Sequence, residues 1–205
     1  MTELGIVGFI GRFKPLHNGS ASALEALCET AEHVVIGIGS SNQYNVRNPF
    51  TADESRAMID LVLGPKYQNY SLVQIPDYAH LPQYRDGSKW KQEVVEQFGE
   101  ITHFVTGNGY VAELLQDTYE VLTPVQAVPG NRKRDVKATI VRIELATNGD
   151  WECMVPEPVA DYLKTNGLVE RFQEEFAEET LAVLSPDYTP WESTEEERRH
   201  VYEGR

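Results

Sequence analysis

Apolar residues fall into two rhythms along this chain. Short unbroken runs, rich in Ile, Val and Phe and closed by Gly or polar residues, occupy 4–10, 33–38, 70–75 and 101–106, with a shorter run at 120–122. Runs of this kind fit strands covered on both faces, because a strand with one wet face alternates apolar and polar positions. Between the runs, apolar residues recur every three or four positions: Leu24, Leu27 and Ala31, then Met58, Leu61 and Val62, then the stretches 88–98 and 111–115. That spacing lays a single apolar stripe along a helix. Ser20 or Ser22 is placed to cap the first helix. Thr51 and Glu54 form a capping box for the second, in which hydroxyl and carboxylate satisfy free backbone donors reciprocally. Alternating strands and helices predict an α/β fold, a doubly wound, Rossmann-like parallel sheet with helices on both faces and right-handed crossovers. From about residue 158 the pattern becomes helical, with Val159, Tyr162, Leu163, Leu168, Phe172 and Phe176 at spacings of three and four. One domain is expected over 1–184, with an acidic tail over 185–205.

Composition bounds the function. The 205 residues are 41% hydrophobic and 24% charged, an ordinary globular composition for one domain. A net charge of −14 argues against nucleic acid and anionic membrane as partners, since both reward a basic surface. Half of that net charge comes from 167–205, where 11 acidic residues face 4 basic ones. No apolar run approaches the roughly 20 residues that span a bilayer. The first residues lack the basic flank and apolar stretch of a signal peptide, so a cytoplasmic protein is expected. Cys28 and Cys153 are far apart, which suggests neither a disulfide framework nor a zinc site and makes a reducing compartment the default. Asp77, His80, Asp86 and His103 stand at spacings of no standard metal site, and no protein-held metal is expected.

In an open parallel sheet, ligands bind outside the carboxyl ends of the strands where strand order reverses. The Gly- and Pro-rich loop 11–19 is placed there. It carries Arg12, Lys14 and His17 and runs into a helix N-terminus, whose free amides favour phosphate. The loop is neither G-x-x-x-x-G-K-[ST] nor G-x-G-x-x-G, so P-loop nucleotidase and nicotinamide-dehydrogenase chemistry lose their main support.

Gly11-Arg12-Phe13-Lys14-Pro15-Leu16-His17-Asn18-Gly19-Ser20 resembles the G-R-F-x-P-x-H-x-G-H signature of the nucleotidyltransferase superfamily, in particular archaeal-type nicotinamide-nucleotide adenylyltransferases. Three further stretches agree in order. Ser40-Ser41-Asn42 with Arg47-Asn48-Pro49-Phe50-Thr51-Ala52 resembles the family's G-S-(A/S) and R-(D/N)-P-F-T-A segment. Thr106-Gly107-Asn108 resembles its S-G-N loop, and Lys137-Ala138-Thr139-Ile140-Val141-Arg142 lies where the family has S-G-T-x-(V/I)-R. The resemblance implies that nicotinamide mononucleotide attacks the α-phosphorus of ATP directly, giving NAD and pyrophosphate. It implies catalytic roles for Arg12, His17, Arg47 and Arg142. ATP phosphates would be bound by Gly11, Arg12, Phe13, His17, Gly19, Ser20, Lys137, Thr139 and Arg142. The nicotinamide nucleotide would meet Ser40, Arg47, Trp90 and Asn108, with Trp90 stacked on the pyridinium ring. Mg²⁺ is expected to be held mainly by the ATP phosphates, given that ion's reluctance to dehydrate. A homo-oligomer is implied by the resemblance alone.

One position departs from the family. Ser20 stands where the family has a second histidine, and a hydroxyl cannot carry charge or span the same distance. Losing one transition-state donor of this kind costs on the order of 10²-fold in rate. Lys137, where the family has serine, is a candidate replacement cation. Two alternatives follow: the same fold with another acceptor (nicotinate mononucleotide, pantetheine phosphate, or a cytidylyl transfer), and a catalytically weakened nucleotide-binding regulator. The basic run Arg132-Lys133-Arg134 is a candidate for steering substrate. Arg12, Lys14, Arg47, Arg132, Lys133, Arg134, Lys137 and Arg142 all lie in or beside the phosphate motifs, so an acidic body is expected to carry a locally positive cleft.

Overall fold

A computed structural model describes residues 4–132, 134 and 136–184. The chain runs β1 (Ile6–Gly11), α1 (Asn18–Thr30), β2 (His33–Gly39), α2 (Ala52–Leu63), β3 (Tyr70–Ile75), α3 (Ser88–Phe98), β4 (His103–Val105), α4 (Gly109–Leu115), β5 (Glu120–Leu122), α5 (Pro124–Ala127), α6 (Ala138–Thr147), α7 (Glu157–Thr165) and α8 (Leu168–Leu184). All five strands are parallel, in the order β3-β2-β1-β4-β5. The chain builds outward from β1 to β3, returns to the other side of β1, and builds outward again. The exits of β1 and β4 therefore diverge at the switch point, where this architecture opens a crevice.

Each face of the sheet has its own core. One joins Val34, Ile36 and Ile38 to Leu24 and Leu27 of α1, Met58 and Ile59 of α2, Val141 of α6, Val159 of α7 and Phe172 of α8. The other joins Val35 and Ile75 to Val94 and Phe98 of α3 and Leu115 of α4. Helices thus cover both faces, which explains why the strands read as unbroken apolar runs. The expected doubly wound sheet is the observed one.

Boundaries of β3, α3 and β5 fall where the sequence pattern puts them, and Thr51 and Glu54 close their capping box around the start of α2. Four expectations need correction. Helix α1 is capped by His17, neither by Ser20 nor by Ser22, and begins at Asn18. Leu61 leaves the apolar face of α2 and is 40% exposed, while Ile59 and Leu63 are fully buried. The fourth strand shrinks to His103–Val105, and α4 starts early because the Asn108 side chain caps it. The tail over 185–205, including Glu195, Glu196 and Glu197, lies outside the described residues, as does Lys133.

Helix α8 braces the parts that carry the loops. Arg171 grips Glu54 of α2 with two nitrogens, one at 2.8 Å, and the Pro49 carbonyl at 3.2 Å. The Gln173 amide reaches the Leu145 carbonyl at the end of α6 at 3.3 Å. Phe172 stacks on Phe50, with ring centroids 6.1 Å apart. Truncating a fully buried ring leaves a cavity, at a typical cost of about 3–5 kcal/mol. Phe172→Ala is expected to lose stability on that scale, read as a lower urea midpoint, with an unchanged slope if the fold is retained.

Candidate functional site

The loop leaving β1 folds back beneath its own entrance. Phe13 takes a left-handed backbone, φ 54°, and its buried ring occupies the space a Cβ on Gly11 would need, with a closest approach of 2.8 Å. Phe13 is therefore a packing residue of this loop, whatever ligand the loop holds. The Lys14–Pro15 peptide is cis, and the loop then enters α1 through His17.

His17 is fixed by the helix it caps. Its Nδ1 accepts from the Ser20 N–H at 3.3 Å. The Ser20 hydroxyl donates to the His17 carbonyl at 3.0 Å and accepts from the His17 N–H at 3.3 Å. With Nδ1 accepting, the neutral ring carries its proton on Nε2. Burial, aided by Arg142 and Lys137, pushes the His17 pKa down to about 4. His17 is accordingly a neutral donor near pH 7, and the Ser20 hydroxyl is occupied in holding it. Gly19 is required here. A Cβ would lie 2.7 Å from the Arg134 carbonyl and 2.9 Å from that of Val136, so the segment before α6 lies directly against the first turn of α1. The Ser22 hydroxyl, at 2.6 Å from the Arg132 carbonyl, fastens the same contact.

Around His17 the fold gathers cations. Arg142 is almost fully buried; it donates through Nη1 to the Lys14 carbonyl at 2.8 Å and through Nη2 to the Thr139 hydroxyl at 3.3 Å. Its Nε is buried without a partner. Burial, then Arg12 and Arg47, lower its pKa to about 9. Arg12 is exposed to solvent, and the desolvation from the groups packed near it, followed by Arg47, lowers its pKa, with Asp77 opposing. Lys14 is fully buried, and burial, Arg12 and Arg142 bring its pKa down to about 8 despite Glu54. Lys137 precedes α6 and is lowered to about 8 by burial. Arg12, Lys14, Arg47 and Arg142 take part in none of the ion pairs among the described residues. Like charges held together without paired carboxylates favour an anionic ligand.

Arg47 is exposed on a short turn after β2. Its N–H bonds the Asn45 side chain at 3.1 Å, and Asn45 and Asn48 close the turn as an antiparallel bridge. Ser40 has φ 48° and donates its hydroxyl to the Asp77 carboxylate at 3.1 Å. Asn42 and the Asp77 backbone exchange two further bonds, of 3.0 and 2.7 Å. The exits of β2 and β3 are thus laced together.

The remaining expected residues are placed differently. Trp90 sits in the first turn of α3, partly buried against the second core. Asn108 spends its side-chain oxygen on the N–H groups of Tyr110 and Val111. Thr139 is engaged by Arg142. Arg132 is paired with Glu29, at 2.7 Å to one carboxylate oxygen, so its guanidinium is tied to α1. The sequence marks Lys14 as a cation of this loop but assigns it no individual role, because its position in the motif is a variable one. The cue was its place between Arg12 and His17. Cys28 and Cys153 are both free. No group of three or more His, Cys, Asp and Glu able to hold a metal occurs among the described residues. No helix among them is long and apolar enough to cross a membrane.

Comparison with known proteins converges on one group. The profile of the cytidylyltransferase-like family matches residues 8–196. A nicotinamide-nucleotide adenylyltransferase of Thermococcus sibiricus is 35% identical over 170 residues, covering 80% of this chain and 86% of the relative. Its counterpart in Pyrococcus furiosus is 32% identical, with coverage of 80% and 86%. Among solved structures, a bifunctional NMN adenylyltransferase/ADP ribose pyrophosphatase from Francisella tularensis superposes with a TM-score of 0.70 at 18% identity, over 87% of this chain. The chain spans about half of that protein's length, 54%, and at this identity the likeness speaks for the fold. By the profile match and by relatives above 30% identity along most of their length, this chain belongs to the cytidylyltransferase-like family.

Proposed function

We infer that this protein is an adenylyltransferase that joins nicotinamide mononucleotide to ATP, forming NAD and pyrophosphate. The observation that carries the reading is the gathering of Arg12, Lys14, Arg47 and Arg142 around the loop that ends in His17, outside the ion pairs among the described residues. In the reaction a 5′-phosphate oxygen of the mononucleotide bonds to the α-phosphorus of ATP, and the bond from that phosphorus to the bridging oxygen of pyrophosphate breaks. The protein needs no covalent intermediate. Its work is in-line positioning and stabilisation of oxygens that gain negative charge.

The neutral His17 ring offers its Nε2–H to a phosphate oxygen from a fixed cap position. Arg12 and Arg47, the exposed cations of the group, supply charge to the incoming phosphates. Arg142 holds the Lys14 carbonyl and so the shape of the first loop. Helix α6 starts at Ala138 with no side-chain cap, and its opening amides favour the terminal phosphates. Lys137 stands beside them, in keeping with a replacement for the charge that Ser20 lacks. Magnesium would arrive with ATP, held by phosphate oxygens and water. That ion would neutralise charge on the leaving pyrophosphate.

Incubation with ATP, magnesium and nicotinamide mononucleotide is expected to yield NAD and pyrophosphate in equal amounts, measured by chromatography and a coupled phosphate assay. Arg12→Ala and Arg47→Ala should each lower kcat/KM by about 10²-fold. Lys137→Ser should do so more severely than Lys137→Arg. Product from nicotinate mononucleotide, pantetheine phosphate or CTP alone would replace the acceptor or donor, and ATP binding without any product would favour a regulator.

The cations also set a pH dependence. Lys14 and Lys137 have folded pKa values near 8 against an ordinary 10.5. Between these values the unfolded chain binds more protons, so their contribution to the stability of the ligand-free protein improves as pH rises from 8 toward 10. Bound polyphosphate favours the protonated form of Lys137, so ATP affinity should fall over the same interval, by up to about tenfold per pH unit. His17 has the acid-side effect: its folded pKa of about 4 lies below 6.5, and its contribution to stability is lost as pH falls across that window. Calorimetric ATP titrations and melting curves from pH 4 to 10 check all three directions.

A further inference from the structure

Lys14 is a fully buried lysine that enters no ion pair among the described residues. Its neighbours in the field are Arg12 and Arg142, with Glu54 opposing them. Burying an ammonium among like charges is unfavourable, so its retention calls for a task at this place. The geometry supplies one. Lys14 Nζ donates to the Ser40 carbonyl at 3.1 Å. That carbonyl also accepts the Gln43 N–H at 3.1 Å, closing the turn at the exit of β2. Ser40 has a left-handed backbone, φ 48°, a conformation that persists in a residue with a Cβ only where its surroundings enforce it.

The same lysine is held from behind. Its carbonyl accepts from Arg142 Nη1 at 2.8 Å, and the Ser40 hydroxyl passes the linkage on to Asp77 at 3.1 Å. One residue therefore joins α6, the loop after β1, the turn after β2 and the loop after β3. The turn it pins leads through Asn45 and Asn48 to Arg47.

We propose that Lys14 is a positioning residue for the acceptor nucleotide: by fixing the Ser40 carbonyl it sets the turn that presents Arg47 to the acceptor phosphate. This deepens the adenylyl-transfer reading and rests on it. The role is one of hydrogen-bond geometry, so a shorter neutral donor, an amide, satisfies it, whereas an apolar chain of similar volume does not.

Wild type, Lys14→Met and Lys14→Gln separate these cases by two readouts. The first needs no substrate: hydrogen exchange of the backbone amides from Ser41 to Asn48. Lys14→Met is expected to exchange at least tenfold faster there, and Lys14→Gln within threefold of wild type. The second is steady-state kinetics. Lys14→Met should raise KM for nicotinamide mononucleotide at least tenfold and leave KM for ATP within threefold, with Lys14→Gln restoring the first value. Removing a repelled charge should leave the ligand-free melting temperature of Lys14→Met no lower than wild type, which separates loop loosening from global unfolding. If Lys14→Met does not fold, Lys14→Leu takes its place. If neither folds, Lys14→Gln decides alone, wild-type protection supporting the proposal and lost protection overturning it. Unchanged exchange in the Met variant, or equal loss in the Met and Gln variants, also overturns it. A wild-type enzyme that makes no dinucleotide would defeat the adenylyl-transfer reading, and the exchange data would still decide the role of Lys14.

Discussion

Mutual repulsion among Arg12, Lys14, Arg47 and Arg142 is the constraint around which this fold is arranged. Burial and like charge both act against Arg12, Lys14 and Arg142, lowering Lys14 to about 8 and Arg142 to about 9. They stay together because covalent and packing forces elsewhere hold the segments that bear them. Arg12 and Lys14 follow β1 at the centre of the sheet, Arg47 follows β2, and Arg142 arrives on α6, which α8 braces. The linkage from Arg142 through the Lys14 carbonyl, Lys14 Nζ and Ser40 to Asp77 turns four separate segments into one support. A preorganised site of this kind has its electrostatic cost met by the fold, so stabilising charge that develops on a ligand requires little reorganisation.

Ser20 shows how a loss in chemistry becomes a gain in order. In place of a second charged or hydrogen-bonding ring, its hydroxyl makes two bonds to the His17 backbone, and its amide bonds the His17 ring. The capping box commits His17 to one tautomer and one orientation. A cation placed to take up the missing charge is Lys137, which depresses the His17 pKa after burial and Arg142. The two substitutions lie on opposite walls of one contact, since Gly19 touches the backbone of Arg134 and Val136.

Much of this was legible in the sequence, for reasons that differ by element. β3 and α3 are bounded by Asn69, Gly87 and Gly99, whose conformations end regular structure, and their limits could be read directly. The start of α1 could not. Serines are the favoured caps and two were at hand, whereas a histidine cap depends on a ring orientation set by tertiary contacts. Leu61 follows the helical rhythm of α2 but falls at the outer margin of a stripe that Ile59 and Leu63 complete. The cationic residues could be named from the loop motifs, yet their ranks could not. Arg142 is buried and bonded to the Lys14 carbonyl, and Lys14, named in the sequence only as a cation of the loop, lies at the junction of the loops. Burial among like charges is a property of the folded arrangement and leaves no trace in composition.

The overall charge of −14 at first sight opposes a polyanionic substrate. Range decides the matter. At physiological salt, fields are screened over about 8 Å, so a phosphate approaching these loops responds to the charges nearest it and scarcely to distant acidic surface. Arg47 acts on Arg12, Arg12 and Arg47 act on Arg142, and Arg142 and Lys137 act on His17, so these cations are near enough to one another to act jointly. A net negative charge and a local group of cations are therefore compatible, because the first is spread over the surface and the second acts at short range.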